Sequence, residues 1–180
     1  MLGWEYPPHI AGGLGTACLA LTRALAAQGE EVLFVVPHRH GDEEAGHLEL
    51  VGGNDVAGRP DAARRVRRRR VASELEPYER PDPLAPPPGE RAAPAPYGPG
   101  LFERVRAYED AVARVAAEAE YDIVHAHDWM TFGAGRAAAA KAGVPLVVHV
   151  HSLELDRSPR GMDPRIVAAE RAGFEAADLV

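Results

Sequence analysis

Residues 11–16 read Ala11-Gly12-Gly13-Leu14-Gly15-Thr16, a glycine-rich turn at the start of an apolar repeat. The apolar residues of that repeat recur at helical spacing: Leu14, Cys18, Leu21 and Leu25. Gly29 stands where a left-handed C-terminal cap would end the helix. Residues 1–4 are typical of the tail of a strand, and residues 32–36 of a fully buried strand. The order strand, glycine turn, helix, strand predicts the beginning of a parallel α/β sheet.

The second half of the chain continues this alternation. An apolar stripe predicts a helix that begins near residue 101: Phe102, Val105, Tyr108, Val112, Val115 and Ala119. Strands are predicted at residues 123–127 and 146–150. Between them, residues 130–142 predict an alanine-rich helix that Gly143 closes.

The last residues predict one more helix and one more strand. Asp163-Pro164 predicts a helix N-terminus, because aspartate caps helices well and proline suits the first helical position. Residues 178–180 are typical of the beginning of a strand. Alternating buried strands and helices predict a Rossmann-like α/β fold, a parallel sheet with helices on both faces. We assign residues 1–180 to one such domain and expect it to be incomplete at both ends.

The middle of the chain is less regular. Residues 77–99 contain nine prolines, which predict a long loop because proline lacks the backbone donor that sheets and helices need. Six arginines lie between residues 64 and 70, with glutamates shortly downstream. This cluster is either a solvated, charge-balanced edge of the sheet or an anion-binding patch.

The composition excludes several classes of protein. Hydrophobic residues make up 46% and charged residues 26% of the chain, as in ordinary globular domains. The formal net charge of −7 argues against nucleic acid as the main partner. No apolar stretch approaches the length of a membrane span, so we expect no transmembrane segment and a cytoplasmic location. The single cysteine, Cys18, falls within the first predicted helix and is assigned no catalytic role.

Polar residues follow three of the predicted strands. They lie in residues 9–15, 127–129 and 151–154. Because ligands of parallel sheets bind at the carboxyl ends of the strands, we expect these segments to share one rim. We also expect the side chains of the rim to be exposed, since a second domain and a ligand would cover them.

The glycine turn is suited to binding an anion, because backbone without side chains lets a phosphate approach the N–H groups at a helix N-terminus. No Gly-Lys-Ser/Thr follows, which excludes a nucleoside-triphosphate P-loop. Cys18 stands where a dinucleotide-binding fingerprint has glycine or alanine, and Pro37-His38 follows the next strand in place of an acidic ribose ligand. A purely structural tight turn is the alternative.

Histidines form two His-X-His pairs, His125 with His127 and His149 with His151. Alternate residues on two strands can converge on a metal, which makes a histidine-centred metallohydrolase one hypothesis. The spacing after His127 lacks the further ligands such enzymes have, and strand-end histidines more often bond backbone or substrate. We therefore predict no metal site.

Asp128 and Trp129 follow the strand that carries His127. An indole beside a carboxylate is a common way to bind a sugar ring and its hydroxyl groups. Each residue also has a plainer interpretation, Asp128 as the N-cap of the next helix and Trp129 as part of the core.

Three motifs stand in order along the chain: Glu5-Tyr6-Pro7-Pro8-His9-Ile10-Ala11-Gly12-Gly13-Leu14, Val124-His125-Ala126-His127-Asp128-Trp129 and Val150-His151-Ser152-Leu153-Glu154. Together they resemble the signatures of retaining glycosyltransferases of family 4 and of the glycogen and starch synthases of family 5. The resemblance implies the N-terminal, acceptor-side half of a GT-B architecture, in which the active site lies between two Rossmann-like domains. The C-terminal nucleotide-binding domain would then be the missing partner of this chain.

The resemblance also implies roles for individual residues. His151 would contact the donor sugar and Asp128 would stand near the reacting centre, so both are candidate catalytic residues. The other candidate residues would bind substrate: Gly12, Gly13, Leu14, His127, Trp129 and Glu154. Gly12 and Gly13 would present backbone amides to the donor diphosphate.

The implied reaction is retaining transfer of a hexosyl, most simply glucosyl, group to a sugar or glucan acceptor. The donor would be a nucleotide-sugar of the ADP-glucose or UDP-glucose type, with no cofactor. Bacterial ADP-glucose-dependent synthases carry a lysine two residues before the first glycine of the pair, where this chain has Ile10, so another group must supply that charge or the donor differs. We expect the 180-residue chain alone to be inactive. A stand-alone carbohydrate- or nucleotide-sugar-binding module is the alternative.

Overall fold

The computed structural model describes residues 1–56 and 100–180. The arginine cluster at residues 64–70 and the proline-rich residues 77–99 lie outside the described residues. Within the described ranges the helices are α1 (Gly13–Ala27), α2 (Gly53–Val56), α3 (Leu101–Glu118), α4 (Trp129–Ala142), α5 (Glu154–Arg157) and α6 (Pro164–Ala176). The strands are β1 (Leu33–Val36), β2 (Glu49–Gly52), β3 (Val124–His127) and β4 (Leu146–His149).

The strands pair in parallel, as the alternating pattern predicts. β1 pairs with β2 and β3 pairs with β4. Leu2 joins the two pairs through parallel bridges to Val35 and Ala126, so the N-terminal residues lie in the middle of the sheet. Leu179 forms a further parallel bridge to Val147, which adds the C-terminal residues beside β4. The predicted strand tails at both ends of the chain therefore pair with the sheet, each through bridges at a single residue.

Helices cover both faces of the sheet. The two faces are distinguished by consecutive residues of β3, whose side chains alternate. Ala126 points towards α4, where a Cβ added to Gly135 would lie 2.8 Å from the Ala126 Cβ. His127 points the other way, towards Cys18 of α1. The expected two-sided α/β arrangement is confirmed.

The first helix buries a slightly different face from the one that apolar spacing predicts. Leu14, Cys18 and Thr22 are buried, whereas Leu21 and Leu25 are only half-buried. Thr22 is tolerated inside because its hydroxyl bonds the Cys18 carbonyl at 2.9 Å and the hydroxyl of Tyr6 at 2.9 Å.

Three longer helices pack together beside the sheet. The Tyr108 hydroxyl of α3 donates to the Val35 carbonyl at 2.9 Å, which ties α3 to β1. Gly173 of α6 contacts the Phe132 ring of α4 so closely that a Cβ would overlap it. Asp163 caps α6 by accepting from the Arg165 amide at 2.9 Å, as predicted. No helix among the described residues is long and apolar enough to span a membrane.

Candidate functional site

The carboxyl ends of β3 and β4 meet through Asp128 and His151. The Asp128 amide donates to the His149 carbonyl at 2.9 Å, which extends the pairing of the two strands by one residue. The Asp128 Oδ1 accepts from the His151 amide at 2.6 Å. The imidazoles of His127 and His151 are joined by an Nδ1 to Nε2 contact of 3.0 Å. Three of the predicted site residues therefore form one connected unit.

The second turn of α1 lies beside this unit through Cys18. The Cys18 Sγ and one ring nitrogen each of His127 and His151 lie within 4.8 Å of one another. Cys18 is five residues after Gly13, a rise of about 7.5 Å along a helix. The glycine turn therefore precedes, on the same helix, the residue that lies beside His151.

Within the glycine turn, a buried carboxylate fixes the backbone. The Glu5 Oε2 accepts from the Ala11 amide at 2.7 Å and its Oε1 from the Gly15 amide at 2.8 Å. A Cβ at Gly15 would overlap Ile10 and lie 3.2 Å from the Glu5 Oε1. Gly15 is therefore required for packing.

Gly12 and Gly13 differ from Gly15 because both are exposed at the start of α1. A Cβ added at Gly13 would meet no atom within 4 Å, and its φ angle is not positive. A side chain at Gly13 would therefore not strain the turn. The open space in front of this glycine is accessible to a ligand.

Asp128 occupies the N-cap position of α4, but its side chain does not cap the helix. It instead reaches across to the turn after β4, where it accepts from the His151 amide. Its backbone has φ 59° and ψ 167°, a conformation that costs a non-glycine residue on the order of 1–3 kcal/mol. Burial raises the pKa of the carboxyl to about 6, while the amides of His151 and Ser152 and the charge of Arg157 act in the other direction. The carboxylate therefore holds the backbone of His151 in place.

Four stacked imidazoles line the α1 face of β3 and β4. Ring centroids lie 4.4 Å apart for His125 and His127 and 4.4 Å apart for His149 and His151. Burial, followed by the neighbouring histidines, lowers the pKa of His125 to about 4 and of His127 to about 2, and it also lowers the pKa of His151. These three imidazoles are neutral at pH 7.

We expect acid to destabilise the domain through His127. The unfolded chain binds a proton below pH 6.5, whereas the folded imidazole stays neutral until about pH 2, so stability is lost as the pH falls below 6.5. Between pH 7.5 and pH 5 this contributes roughly 2 kcal/mol. Asp128 has the opposite effect on stability. Burial raises the pKa of its carboxyl to about 6 in the folded state, so proton uptake by this group stabilises the folded state.

The measurement is urea unfolding at both pH values for the wild type and for His127→Asn, which cannot titrate. The difference between pH 7.5 and pH 5 should be roughly 2 kcal/mol smaller in the variant. An NMR titration of the wild type should find His127 still neutral at pH 5. Protonation of His127 near pH 6 would contradict the expectation.

A buried ionic network shapes the turn that follows His151. The Glu170 Oε1 accepts from the Glu154 amide at 2.6 Å and from the Arg157 Nη2 at 2.9 Å. Arg157 Nη1 also donates to the Ser152 carbonyl at 3.1 Å and hydroxyl at 2.9 Å. The Glu154 Oε1 accepts from the Asp163 amide at 3.0 Å. The buried Glu154 side chain therefore stabilises the turn through its hydrogen bond.

The predicted exposure of the site side chains is wrong for four residues. His127, Asp128, Trp129 and Glu154 are 0%, 2%, 3% and 1% exposed. Their hydrogen bonds and apolar contacts within the domain explain this burial. Of the two candidate catalytic residues, His151 is partly exposed. Leu14 is also buried, so it offers the edge no side chain.

Trp129, the first residue of α4, packs its ring against α3. Its ring packs at 5.7 Å from the ring of Phe102 in α3. It lines a groove of about 400 Å³ between α3, α4 and α6. The structure therefore gives Trp129 the packing role that the sequence left open.

Sequence reasoning did not single out three of the supporting residues: Glu5, Arg157 and Glu170. Glu5 stands inside the first motif, but only its contacts to Ala11 and Gly15 reveal its function. Arg157 follows Glu154 at helical spacing, a weak signal that surface helices share.

Comparison with known proteins gives one family match. A model described as "Glycosyl transferase 4-like domain" matches residues 12–180. A glycogen synthase from Mycobacterium tuberculosis (strain ATCC 25618 / H37Rv) is 26% identical over 169 residues, covering 87% of this chain and 34% of that protein. An uncharacterized glycosyltransferase from Methanocaldococcus jannaschii is 27% identical over 157 residues, covering 87% of this chain and 31% of that protein.

A shorter match involves a D-inositol 3-phosphate glycosyltransferase from Catenulispora acidiphila. It is 41% identical over 68 residues, covering 34% of this chain and 16% of that protein. The chain spans about a third of the length of the first curated relatives. The matches favour neither a metallohydrolase nor a stand-alone binding module.

Proposed function

Since this chain belongs to the glycosyl transferase 4-like domain family, we propose that it is the acceptor-side domain of a GT-B glycosyltransferase. The reaction is transfer of a hexosyl group, most simply glucosyl, from a nucleotide-sugar to a sugar or glucan acceptor with retention. A second, nucleotide-binding domain completes the cleft. The observation that supports the proposal is that Cys18, five residues after Gly13 on α1, lies beside His151, whose amide is bonded by Asp128.

In this proposal the donor diphosphate binds at the N-terminus of α1. Gly12 and Gly13 are exposed there, and no side chain stands in front of Gly13. Backbone amides and the helix dipole favour an anion at that point. The Gly15 amide is already taken by the Glu5 carboxylate, so the diphosphate approaches only the first residues of the helix.

The buried Glu5 carboxylate also makes a counter-cation necessary. Its oxygens accept from two amides of the turn that would receive the diphosphate. Neither Ile10 nor Ala11 supplies a positive charge. We propose that the cation comes from the nucleotide-binding domain, and that amides and cations stabilise the leaving diphosphate. The donor is of the ADP-glucose or UDP-glucose type.

His151 contacts the donor sugar in this proposal. Its imidazole is partly exposed and neutral, so it exchanges hydrogen bonds with a sugar hydroxyl without adding charge. Asp128 and His127 are positioning residues, because they are buried and act on the His151 amide and ring respectively. Glu154 positions the same turn, and Trp129 packs the helix that follows Asp128.

The direct test is an assay of the protein that contains this chain together with its nucleotide-binding domain. We expect release of nucleoside diphosphate from one glucose donor to depend on an added sugar or glucan, with the anomeric configuration of the product matching that of the donor. Donor binding without turnover on every acceptor would favour the binding-module alternative. Inversion at the anomeric carbon would contradict retention.

Substitutions at Gly13 and Gly15 should affect different properties, donor affinity at Gly13 and stability at Gly15. Gly13→Val places a β-branched side chain in the open space where the diphosphate approaches, so the donor dissociation constant should rise at least about fivefold. The free energy of unfolding should change by less than about 1 kcal/mol, because the helix start has room for it.

Gly15→Val is the matched control. Its side chain overlaps Ile10 and Glu5, so the free energy of unfolding should fall by about 1–3 kcal/mol. The measurements are calorimetric titration with the nucleotide-sugar and urea unfolding. Unchanged donor affinity in Gly13→Val would leave the turn with a purely structural function.

A further inference from the structure

The ring nitrogens of His127 and His151 face one another at the carboxyl ends of β3 and β4. The His127 Nδ1 and the His151 Nε2 are 3.0 Å apart, in hydrogen-bonding geometry. A hydrogen bond between two ring nitrogens needs one proton between them, so that one ring donates and the other accepts. The direction of this bond decides whether the remaining nitrogen of His151 is a donor or an acceptor for a substrate.

Both rings are neutral near pH 7, so each carries one ring proton. Burial, followed by the neighbouring histidines, lowers the pKa of His127 to about 2, and burial also lowers the pKa of His151. A neutral imidazole has one N–H donor and one acceptor nitrogen. Two arrangements satisfy these conditions. In the first, His127 donates from Nδ1 and its Nε2 is unprotonated. In the second, His151 donates from Nε2 and His127 carries its proton on Nε2.

The surroundings of the His127 Nε2 distinguish the two arrangements. This atom is buried and has no hydrogen-bond partner among the described residues, and His127 is 0% exposed. Among buried backbone groups, an N–H without a partner is rarer than an under-satisfied acceptor, and a buried ring N–H has the same need for a partner. The first arrangement, with an unprotonated Nε2, is therefore favoured.

The nearby thiol of Cys18 does not change this preference. Its Sγ lies within 4.8 Å of a ring nitrogen of His127. Burial raises the pKa of the thiol to about 12, so the sulfur keeps its proton. A neutral thiol is only a weak acceptor. It therefore does not supply the partner that an Nε2–H of His127 would need.

We propose that His127 fixes the tautomer of His151, by donating from Nδ1 to the His151 Nε2, so that His151 carries its own proton on Nδ1. The His151 Nδ1 forms no hydrogen bond among the described residues, and the side chain is partly exposed. In the proposed transfer reaction, on which this step rests, His151 presents an N–H donor to an oxygen of the donor sugar. It has no free lone pair, so it does not act as a general base.

The first experiment detects the ring protons by NMR in the chain labelled with ¹⁵N at histidine, at pH 7.5 and without ligand. Long-range proton–nitrogen correlations distinguish a protonated ring nitrogen from an unprotonated one. We expect a protonated Nδ1 and an unprotonated Nε2 in both His127 and His151. A protonated Nε2 in His151, or averaged signals from two tautomers, would overturn the proposal.

Two variants identify the residue that sets the tautomer. His127→Phe keeps a buried ring but removes the donor, so His151 should no longer hold a single tautomer. His125→Phe is the matched control, because it replaces a ring of the same stack that is not bonded to His151. Circular dichroism checks that both variants fold, and the wild-type spectrum tests the tautomer without them. An unchanged His151 tautomer in His127→Phe would show that His127 does not set it.

The second experiment measures kcat in the protein that carries this chain and its nucleotide-binding domain. The amide of His151→Asn can donate from near the position of Nδ1, whereas the carboxylate of His151→Asp only accepts. We expect kcat to be at least about fivefold higher in His151→Asn than in His151→Asp. Equal rates would contradict the donor role of His151. Absence of transfer by the wild type would instead contradict the proposed function, while the NMR result would still test the tautomer.

Discussion

Arg157→Ala is expected to lower the free energy of unfolding by about 3–5 kcal/mol, because it leaves two buried carboxylates without their cation. The Arg157 side chain is 8% exposed and donates to Glu170 at 2.9 Å, while its Nε lies 3.7 Å from Glu154. It also holds the Ser152 carbonyl, which directly follows His151. Removal of the Arg157 side chain should therefore lower the stability of the domain and also loosen the turn that follows His151.

The measurement is urea unfolding followed by circular dichroism, with Arg171→Ala as the matched control. Arg171 bonds Glu175 at 2.7 Å, but both side chains are largely exposed, and such pairs contribute about 0–1 kcal/mol. The double variant Arg157→Met with Glu170→Gln should recover part of the loss, because it removes a buried charge from each side. Equal losses in Arg157→Ala and Arg171→Ala would show that the network does not stabilise the domain.

His151→Ala is expected to lower kcat at least about tenfold in the protein that carries this chain and its nucleotide-binding domain. The imidazole is the partly exposed group of the connected unit at the edge, so its contact with the sugar should matter most in the transition state. Because the side chain is not fully buried, the free energy of unfolding should change little. Initial rates of diphosphate release, measured over a range of donor concentrations, separate kcat from KM.

Asp128→Ala should lower kcat by a similar factor through a different cause, the loss of the bond from its carboxylate to the His151 amide. Asp128→Asn keeps an oxygen that can accept from this amide, so it should retain more activity than Asp128→Ala. Arg171→Ala, far along α6, should have normal kinetics. Near-normal rates in both alanine variants would mean that neither residue has the role proposed for it.

The local pattern of the sequence was sufficient to predict the longer helices. Each longer helix carries a sequence signal, either an apolar face, a glycine at one end or an aspartate cap. These signals lie within a few residues of the observed boundaries of α1, α3, α4 and α6. β2, α2 and α5 were not predicted. The two helices have four residues each, too few for a helical periodicity to develop, and β2 contains only two apolar residues, Leu50 and Val51.

The candidate site was predicted in its location but not in its internal arrangement. Because strand ends in a parallel sheet meet at one edge, the positions of Gly13, Asp128 and His151 along the chain were enough to expect them together. The expected exposure failed because burial depends on neighbours that are distant in sequence. Glu170, for example, reaches the Glu154 amide across 16 residues.

The sequence by itself determined the α/β class, the glycine turn and the edge at which the polar residues gather, since these follow from periodicity and the order of elements. Only the tertiary structure decided what each residue does there. It showed that Gly13 is open and Gly15 is packed, and that Asp128 holds His151 instead of capping α4. The physical reason is that a hydrogen bond or a close contact depends on distances of a few tenths of an ångström between separate segments, which no local pattern records.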